Sequence, residues 1–208
     1  ELGKFYEAKK SFTQTIILNP NDAEAYSNLS LVDREMGRLE EAKNNCLKAI
    51  SLKPDLAEAH NNLALILERL GNKKEAEASY LKAISLKPDL AEAHNNLGAV
   101  FEDKGKLEEA KGWYQQAILL DPNYYIAINN IGNIYKKLGR LKEARDNFKK
   151  AIELQPSYID ALWNLSASES KIDNSEYWLD EILKIKENHL PSILMKAALR
   201  FYKGDKNY

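Results

Sequence analysis

The sequence contains one cysteine, three histidines and almost no net charge. Cys46 has no partner for an internal disulfide, which excludes a disulfide framework and favours a reducing, cytoplasmic location. A formal charge of −1 gives no overall field that would attract nucleic acid or an acidic membrane. No stretch approaches the roughly 18 apolar residues of a membrane-spanning helix, and no signal-peptide pattern is present. We therefore expect neither nucleic acid nor membrane as a partner.

Proline and glycine are also scarce, with six and nine residues, but they are regularly spaced. The first five prolines are separated by thirty-four residues each and the last by thirty-five: Pro20, Pro54, Pro88, Pro122, Pro156 and Pro191. Five glycines keep the same interval: Gly3, Gly37, Gly71, Gly105 and Gly139. In addition, the fifteen residues 49–63 are copied without change at 83–97. Such a period indicates one supersecondary unit that is used repeatedly.

Each unit is predicted to be a pair of helices. With Ala57 as position 1, Leu63 and Leu67 lie on one stripe of a helix that Gly71 ends at position 15. A second apolar stripe follows and stops before Pro88, because proline disfavours helical geometry in the preceding residue. The polar residue after each proline is expected to cap the next helix: Asp55, Asp89, Asn123 and Ser157.

These units resemble the tetratricopeptide repeat. The unit at 91–124 matches at Leu97, Gly98, Phe101, Gly105, Ala110, Tyr114, Ala117 and Pro122. The unit at 125–158 matches at Ile131, Gly132, Tyr135, Gly139, Ala144, Phe148, Ala151 and Pro156. The resemblance implies an all-α fold, a right-handed superhelical solenoid of antiparallel helix hairpins that binds an extended peptide in its concave groove.

We expect a single repeat array over the whole chain. Its predicted parts are a partial repeat at 1–22, full repeats at 23–56, 57–90, 91–124 and 125–158, a degenerate repeat at 159–189 and a partial repeat at 190–208. The degenerate repeat lacks the turn glycine, which predicts a shorter first helix. The apolar residues of 190–202 would be partly uncovered, so we expect a fragment of a longer protein; the alternative is a natural chain with ragged ends. The same exposure makes self-association through the terminal repeats a further expectation.

Asparagine recurs on the face opposite the apolar stripe. Position 6 is asparagine in five units: Asn28, Asn62, Asn96, Asn130 and Asn164. Position 5 adds Asn61, Asn95 and Asn129, and position 9 adds Asn133. Asparagine is a mediocre helix former, but its amide both donates and accepts hydrogen bonds. The pattern is similar to the asparagine ladder in the repeat arm of O-linked N-acetylglucosamine transferases, which implies bonds to a peptide backbone. The alternative is that duplicated units inherited these residues.

Other residues on this face should influence the choice of ligand. Position 2 carries Glu24, Glu58 and Glu92, whereas Lys136 and Lys137 make the later part basic. Trp163 replaces asparagine at position 5 and either anchors an apolar side chain of a ligand or fills space left by the shortened helix. Position 5 carries no lysine, which argues against the carboxylate clamp that some members of the family use to bind chaperones.

The sequence gives no support for catalysis or for a cofactor. His60 and His94 occupy the same core-side position in adjacent units and are interpreted as structural. Cys46 occupies the position of Tyr80 and is interpreted as a buried thiol. The segment is therefore predicted not to be an enzyme. Two alternatives stay open: it is the substrate-recruiting arm of a larger enzyme such as a glycosyltransferase, or its groove is filled by a neighbouring array or by its own downstream helix.

Overall fold

The computed structural model describes residues 2–202, which form twelve α-helices and no β-strand within that range. The chain divides into two compact units, Glu1–Lys106 and Leu107–Tyr208. Unit 1 contains α1 (Leu2–Leu18), α2 (Ala23–Glu35), α3 (Leu39–Leu52), α4 (Ala57–Arg69), α5 (Lys73–Leu86) and α6 (Ala91–Asp103). Unit 2 contains α7 (Leu107–Leu120), α8 (Tyr125–Lys137), α9 (Leu141–Leu154), α10 (Ile159–Ser166), α11 (Ile172–Ile185) and α12 (Leu190–Tyr202).

Consecutive helices pack against each other within each unit. In unit 1, α2 packs on α3 and α4 on α5, and in unit 2, α8 packs on α9 and α10 on α11. Connections of three to five residues force these pairs to run antiparallel. Each pair also packs against the next helix of its unit, as α3 does on α4 and α9 on α10. The all-α fold class of antiparallel helix hairpins is thus confirmed. The division into repeats stays a proposal.

A left-handed glycine ends the first helix of a repeat. Gly37, Gly71, Gly105 and Gly139 have φ values of 73° to 83°. After α4, the Gly71 N–H donates to the Glu68 carbonyl at 2.9 Å and the Asn72 N–H donates to the Leu67 carbonyl at 2.8 Å. This pair of bonds is a Schellman motif, which satisfies carbonyls at the helix end and needs a residue at positive φ. The predicted helix stop at position 15 is confirmed.

The predicted caps at Asp55 and its equivalents are wrong. The Leu56 N–H donates to the Lys53 carbonyl at 3.1 Å, which closes a β-turn with Asp55 inside it. The N-cap is therefore the next residue, Leu56, and its apolar side chain makes no capping bond. The same arrangement holds at α6, α8 and α10, whose N-caps are Leu90, Tyr124 and Tyr158. At α2 the N-cap is Asp22, which accepts from the Ala25 N–H at 2.9 Å.

The second helices α5, α7 and α9 bury one aromatic side chain each at an equivalent position. Tyr80, Tyr114 and Phe148 share one position of the second helix and are at most 1% exposed. In unit 2, a Cβ added to Gly132 would lie 2.5 Å from Cε1 of Phe148. Glycine at this position therefore lets α8 approach the aromatic ring on α9.

Two further expectations about the core are confirmed. Cys46 replaces the aromatic residue in the first hairpin and is fully buried, with its Sγ 3.1 Å from Ser30 Oγ. Burial raises the pKa of the Cys46 thiol to about 11. The first helix of the degenerate repeat, α10, has 8 residues, whereas α8 has 13. In place of a glycine turn, the Ser175 hydroxyl and Arg145 Nη1 donate to carbonyls of Ser166 and Ser168, both at 2.9 Å.

Candidate functional site

The asparagines of the first helices bond from one repeat to the next. In unit 1, Asn62 Nδ2 on α4 donates to Ser27 Oγ on α2 at 3.0 Å. Asn96 Nδ2 on α6 donates to Asn61 Oδ1 on α4 at 3.3 Å. In unit 2, Asn164 Nδ2 on α10 donates to Asn129 Oδ1 on α8 at 3.1 Å. In all three bonds, the residue at position 6 of one repeat donates to the residue at position 5 of the preceding repeat.

This pairing explains a difference between the expected and observed burial. Helix periodicity alone places position 5 on the open face, but Asn61, Asn95 and Asn129 are only 2%, 6% and 2% exposed. The next first helix of the same unit bonds Asn61 and Asn129, and these bonds satisfy amide groups that would be costly to bury without a partner. Position 5 therefore contributes to the contact between repeats. Whether these residues also contact a peptide stays a prediction.

Position 6 ranges from exposed to buried. Asn62 is 7% exposed. Asn96, Asn130 and Asn164 are half-buried, and Asn28 on α2 is exposed. The Asn28 amide makes no hydrogen bond within the part of the chain that the structure describes. Of the five, Asn28 is thus the residue whose donor and acceptor are both available to a ligand.

Asn28 lines an open cleft of about 540 Å³ on the first-helix face of unit 1. We call it the unit 1 cleft. Five of the ten residues that line it are ionisable: Glu24, Lys53, Asp55, Glu58 and Lys87. Two ion pairs cross it, with Lys53 Nζ 3.3 Å from Glu24 Oε1 and Lys87 Nζ 2.7 Å from Glu58 Oε1. The hydrogen bond from Lys87 lowers the pKa of the Glu58 carboxyl, which keeps the pair charged at neutral pH.

The two lysines of the cleft were missed as site residues. Each directly precedes a proline, so the Lys-Pro step was interpreted only as the end of a helix. A constant spacing in the sequence could have indicated them. Each lysine lies twenty-nine residues after the glutamate at position 2 of its own repeat. Because a helix hairpin returns the chain to its start, this spacing brings opposite charges together.

In unit 2 the predicted site residues Trp163, Asn133, Lys136 and Lys137 differ in how far they are buried. Trp163 on α10 is half-buried and packs on the cluster of Leu162, Leu179 and Ile182. Its ring centroid is 6.2 Å from that of His189. These contacts favour a packing role for Trp163 and leave part of its surface accessible. Asn133 and Lys136 on α8 are half-buried, and Lys137 is exposed.

The contacts of His60 and His94 support their structural interpretation. His60 Nε2 lies 3.0 Å from the Pro54 carbonyl, and His94 Nε2 lies 2.9 Å from the Pro88 carbonyl. Each ring therefore ties the start of a first helix to the preceding turn. No group of three or more His, Cys, Asp or Glu side chains among residues 2–202 is arranged to hold a metal ion. Over the same residues, none of the helices combines the length and apolar character needed to cross a bilayer.

Stacked hairpins with a polar first-helix face define a helical-repeat protein. The tetratricopeptide repeat model matches residues 91–124 and 125–158, and a second model of the TPR repeat matches 31–71 and 69–105. Together these matches cover more than half of the 208 residues. The chain belongs to the tetratricopeptide repeat family, whose repeats indicate a scaffold for protein–protein interaction. A comparison with curated protein sequences gives no significant match.

Solved structures share the fold. The pilF structure of Pseudomonas aeruginosa is 23% identical with a TM-score of 0.78, over 88% of this chain and 85% of that one. A chain of the APC/C hetero-tetramer Cut9–Hcn1 is 18% identical with a TM-score of 0.82, over 99% of this chain and 40% of that one. YrrB, described as a TPR protein with an unusual peptide-binding site, is 24% identical with a TM-score of 0.59, over 91% of this chain and 99% of that one.

Proposed function

We propose that the chain binds an extended peptide of a protein partner along the first-helix face of its repeats. The observation that carries this proposal is the exposed, unbonded amide of Asn28 at the edge of the unit 1 cleft. An asparagine amide presents a donor and an acceptor side by side, as does each peptide group of an extended chain. Asn28 can therefore bond a ligand backbone without regard to its side chains.

The other asparagines have a double role in this proposal. Asn96, Asn130 and Asn164 are half-buried, so part of each side chain is accessible to a ligand. For Asn96 and Asn164 the bond to the preceding repeat fixes the side-chain orientation. A fixed polar group loses less conformational freedom when a ligand binds, which improves affinity. YrrB, with its peptide-binding site, is a protein of the same fold.

Asn28→Ala tests the proposal most directly, because no bond between repeats is lost. The probe is a random dodecapeptide library displayed on phage, selected on the unmodified protein. We expect selected peptides to bind N28A about tenfold more weakly, which is the loss expected when one or two hydrogen bonds are removed. The matched control is Asn44→Ala, an exposed asparagine on α3, the second helix of the same hairpin. Equal binding to N28A and N44A would refute the proposal.

Two further assignments belong to this proposal. The binding face would serve as the substrate-recruiting arm of a larger enzyme if a catalytic domain is joined to it, and the repeats themselves would then carry out no chemistry. A cytoplasmic location fits the buried, reduced thiol of Cys46. Localisation of the tagged full-length protein by fluorescence microscopy tests the second assignment.

We also propose that α12 mediates self-association. Its apolar residues Leu190, Ile193, Leu194 and Phe201 are between 43% and 71% exposed. The cations of this helix are already paired, Lys196 with Asp180 and Arg200 with Glu176. Two copies of this face can therefore meet around a two-fold axis without unpaired like charges. Sedimentation velocity should show a dimer that Leu194→Asp abolishes and Leu81→Asp, on α5, does not; a monomer at all concentrations would contradict this.

A further inference from the structure

The two lysines of the unit 1 cleft compete with any cation that a ligand brings. We propose that the cleft takes up a lysine or arginine side chain of the bound peptide, which displaces these lysines from their carboxylates. The inference deepens the peptide-binding function proposed above and depends on it.

The charges of the cleft favour a cationic guest. Its wall carries three carboxylates and two ammonium groups. The third carboxylate, Asp55, is exposed and has no ion-pair partner among residues 2–202. A cationic side chain would bring the cleft to neutrality, whereas an anionic one would increase an existing surplus of negative charge.

The existing ion pairs are weak enough to exchange. The side chains of Lys53 and Glu24 are 48% and 69% exposed, and those of Lys87 and Glu58 are 45% and 46% exposed. Pairs this exposed gain little from Coulomb attraction in water, and their long side chains are easily released to solvent. A guanidinium held by a bound peptide would bond the same carboxylates in two places, which a single ammonium cannot do.

The floor of the cleft suits the stem of such a side chain. Leu56 and Ala57 are buried at its base, and Leu86 is half-buried beside them. Lysine and arginine bury their methylene groups along apolar surface and keep the charged end in a polar environment. The lining of the cleft offers both apolar surface and carboxylates.

The helix start in the cleft does not provide an anion site. The first turn of α4 carries Glu58, and its own backbone N–H is among the groups that lower the pKa of its carboxyl. The favourable position for a negative group at this helix N-terminus is therefore already occupied. An acidic ligand would also face Glu24 and Asp55.

Asn28 links this cleft to the proposed peptide path. Its amide lies in the wall of the same cleft, next to Ser27. A residue whose backbone bonds Asn28 would thus have its side chain within reach of the carboxylates. The cleft accordingly favours a basic residue at one position of the peptide, whereas the backbone bonds leave the other positions of the peptide sequence free to vary.

The test uses three defined peptides and NMR. The peptides are acetyl-Ser-Gly-Ser-X-Ser-Gly-Ser-amide with X as arginine, glutamine or glutamate, titrated while the Asn28 side-chain amide signals are followed. We expect the arginine peptide to bind at least about fivefold more tightly than the glutamate peptide. Asp55→Asn should weaken binding of the arginine peptide about threefold, whereas Asp146→Asn, on α9, should leave this binding unchanged.

Variants of the two lysines test whether these lysines compete with the cation of the peptide. The double substitution Lys53→Met and Lys87→Met removes the competing cations. We expect it to strengthen binding of the arginine peptide about two- to fivefold. The control pair Lys48→Met with Lys82→Met has the same spacing, and both residues are exposed on second helices. Tighter binding of the glutamate peptide to the unmodified protein, or weaker binding of the arginine peptide to the first pair, would overturn the inference.

Two other outcomes separate this inference from the general function. Equal binding of all three peptides, with weaker binding to N28A as followed through the backbone amide signals of α2, would overturn cation selection and leave peptide binding supported. No change in the Asn28 amide signals with any peptide would overturn both.

Discussion

Replacing Asn129 and Asn164 by alanine, singly and together, measures what the bond between repeats contributes to stability. Asn164 Nδ2 donates to Asn129 Oδ1 at 3.1 Å, and Asn129 is 2% exposed. Asn164→Ala leaves the buried Asn129 carbonyl without this donor, which costs about 1–3 kcal/mol. Alanine is a better helix former than asparagine by up to about 0.7 kcal/mol, so we expect a net loss of about 0.5–2 kcal/mol.

The double mutant separates these terms. Because the gain in helix propensity is the same with or without the partner, it cancels in a double-mutant cycle. We expect N129A/N164A to lose less stability than the sum of the single mutants, with a coupling of about 1 kcal/mol. Exposed Asn44 on α3 provides the reference: N44A should be neutral or slightly stabilising.

The assay must resolve local stability, since repeat arrays need not unfold in a single step. Urea denaturation followed by far-UV circular dichroism gives the overall change, and amide hydrogen exchange in α8 and α10 gives the local opening free energy. A coupling below about 0.3 kcal/mol would mean that the two substitutions act independently. The bond between repeats would then have no role in holding them together.

Two further predictions concern the core. Gly132→Ala should lower the free energy of unfolding by about 1–3 kcal/mol, because the new methyl group would lie 2.5 Å from the aromatic ring packed there. Gly112→Ala, whose added Cβ would meet no atom within 4 Å outside its own stretch of helix backbone, should instead raise the free energy of unfolding by about 0.5–1 kcal/mol. Thermal unfolding of the two variants tests the opposite signs. The Cys46 thiol, with a pKa of about 11, should not react with Ellman's reagent at pH 8 in the folded protein but should react in urea. Rapid reaction without urea would contradict its burial.

The sequence was sufficient to predict the helices and the C-terminal ends of the first helices. The interval between Pro54 and Pro88 and the matching glycines predicted hairpins, and the left-handed conformation of Gly71 confirms the predicted stop. Absence of that glycine correctly predicted the short helix α10. These features depend on the local backbone preferences of glycine and proline, which can be read from the residue type alone.

Contacts between repeats were less accessible to sequence reasoning. The burial of Asn61 depends on a neighbouring helix that the periodicity of one helix cannot show. The ion pair of Lys87 with Glu58 depends on how closely the hairpin returns to its start. Asp55 failed as a cap because the turn after Pro54 is one residue longer than the capping pattern assumes.

The amide pair has a consequence for how such a chain can grow. A repeat with asparagine at positions 5 and 6 carries both halves of the junction that it forms with its neighbours. Any tandem copy of such a unit fits beside its parent at once, with no compensating change elsewhere. The identical segments 49–63 and 83–97 each contain this pair, so gene duplication alone could lengthen the array one hairpin at a time.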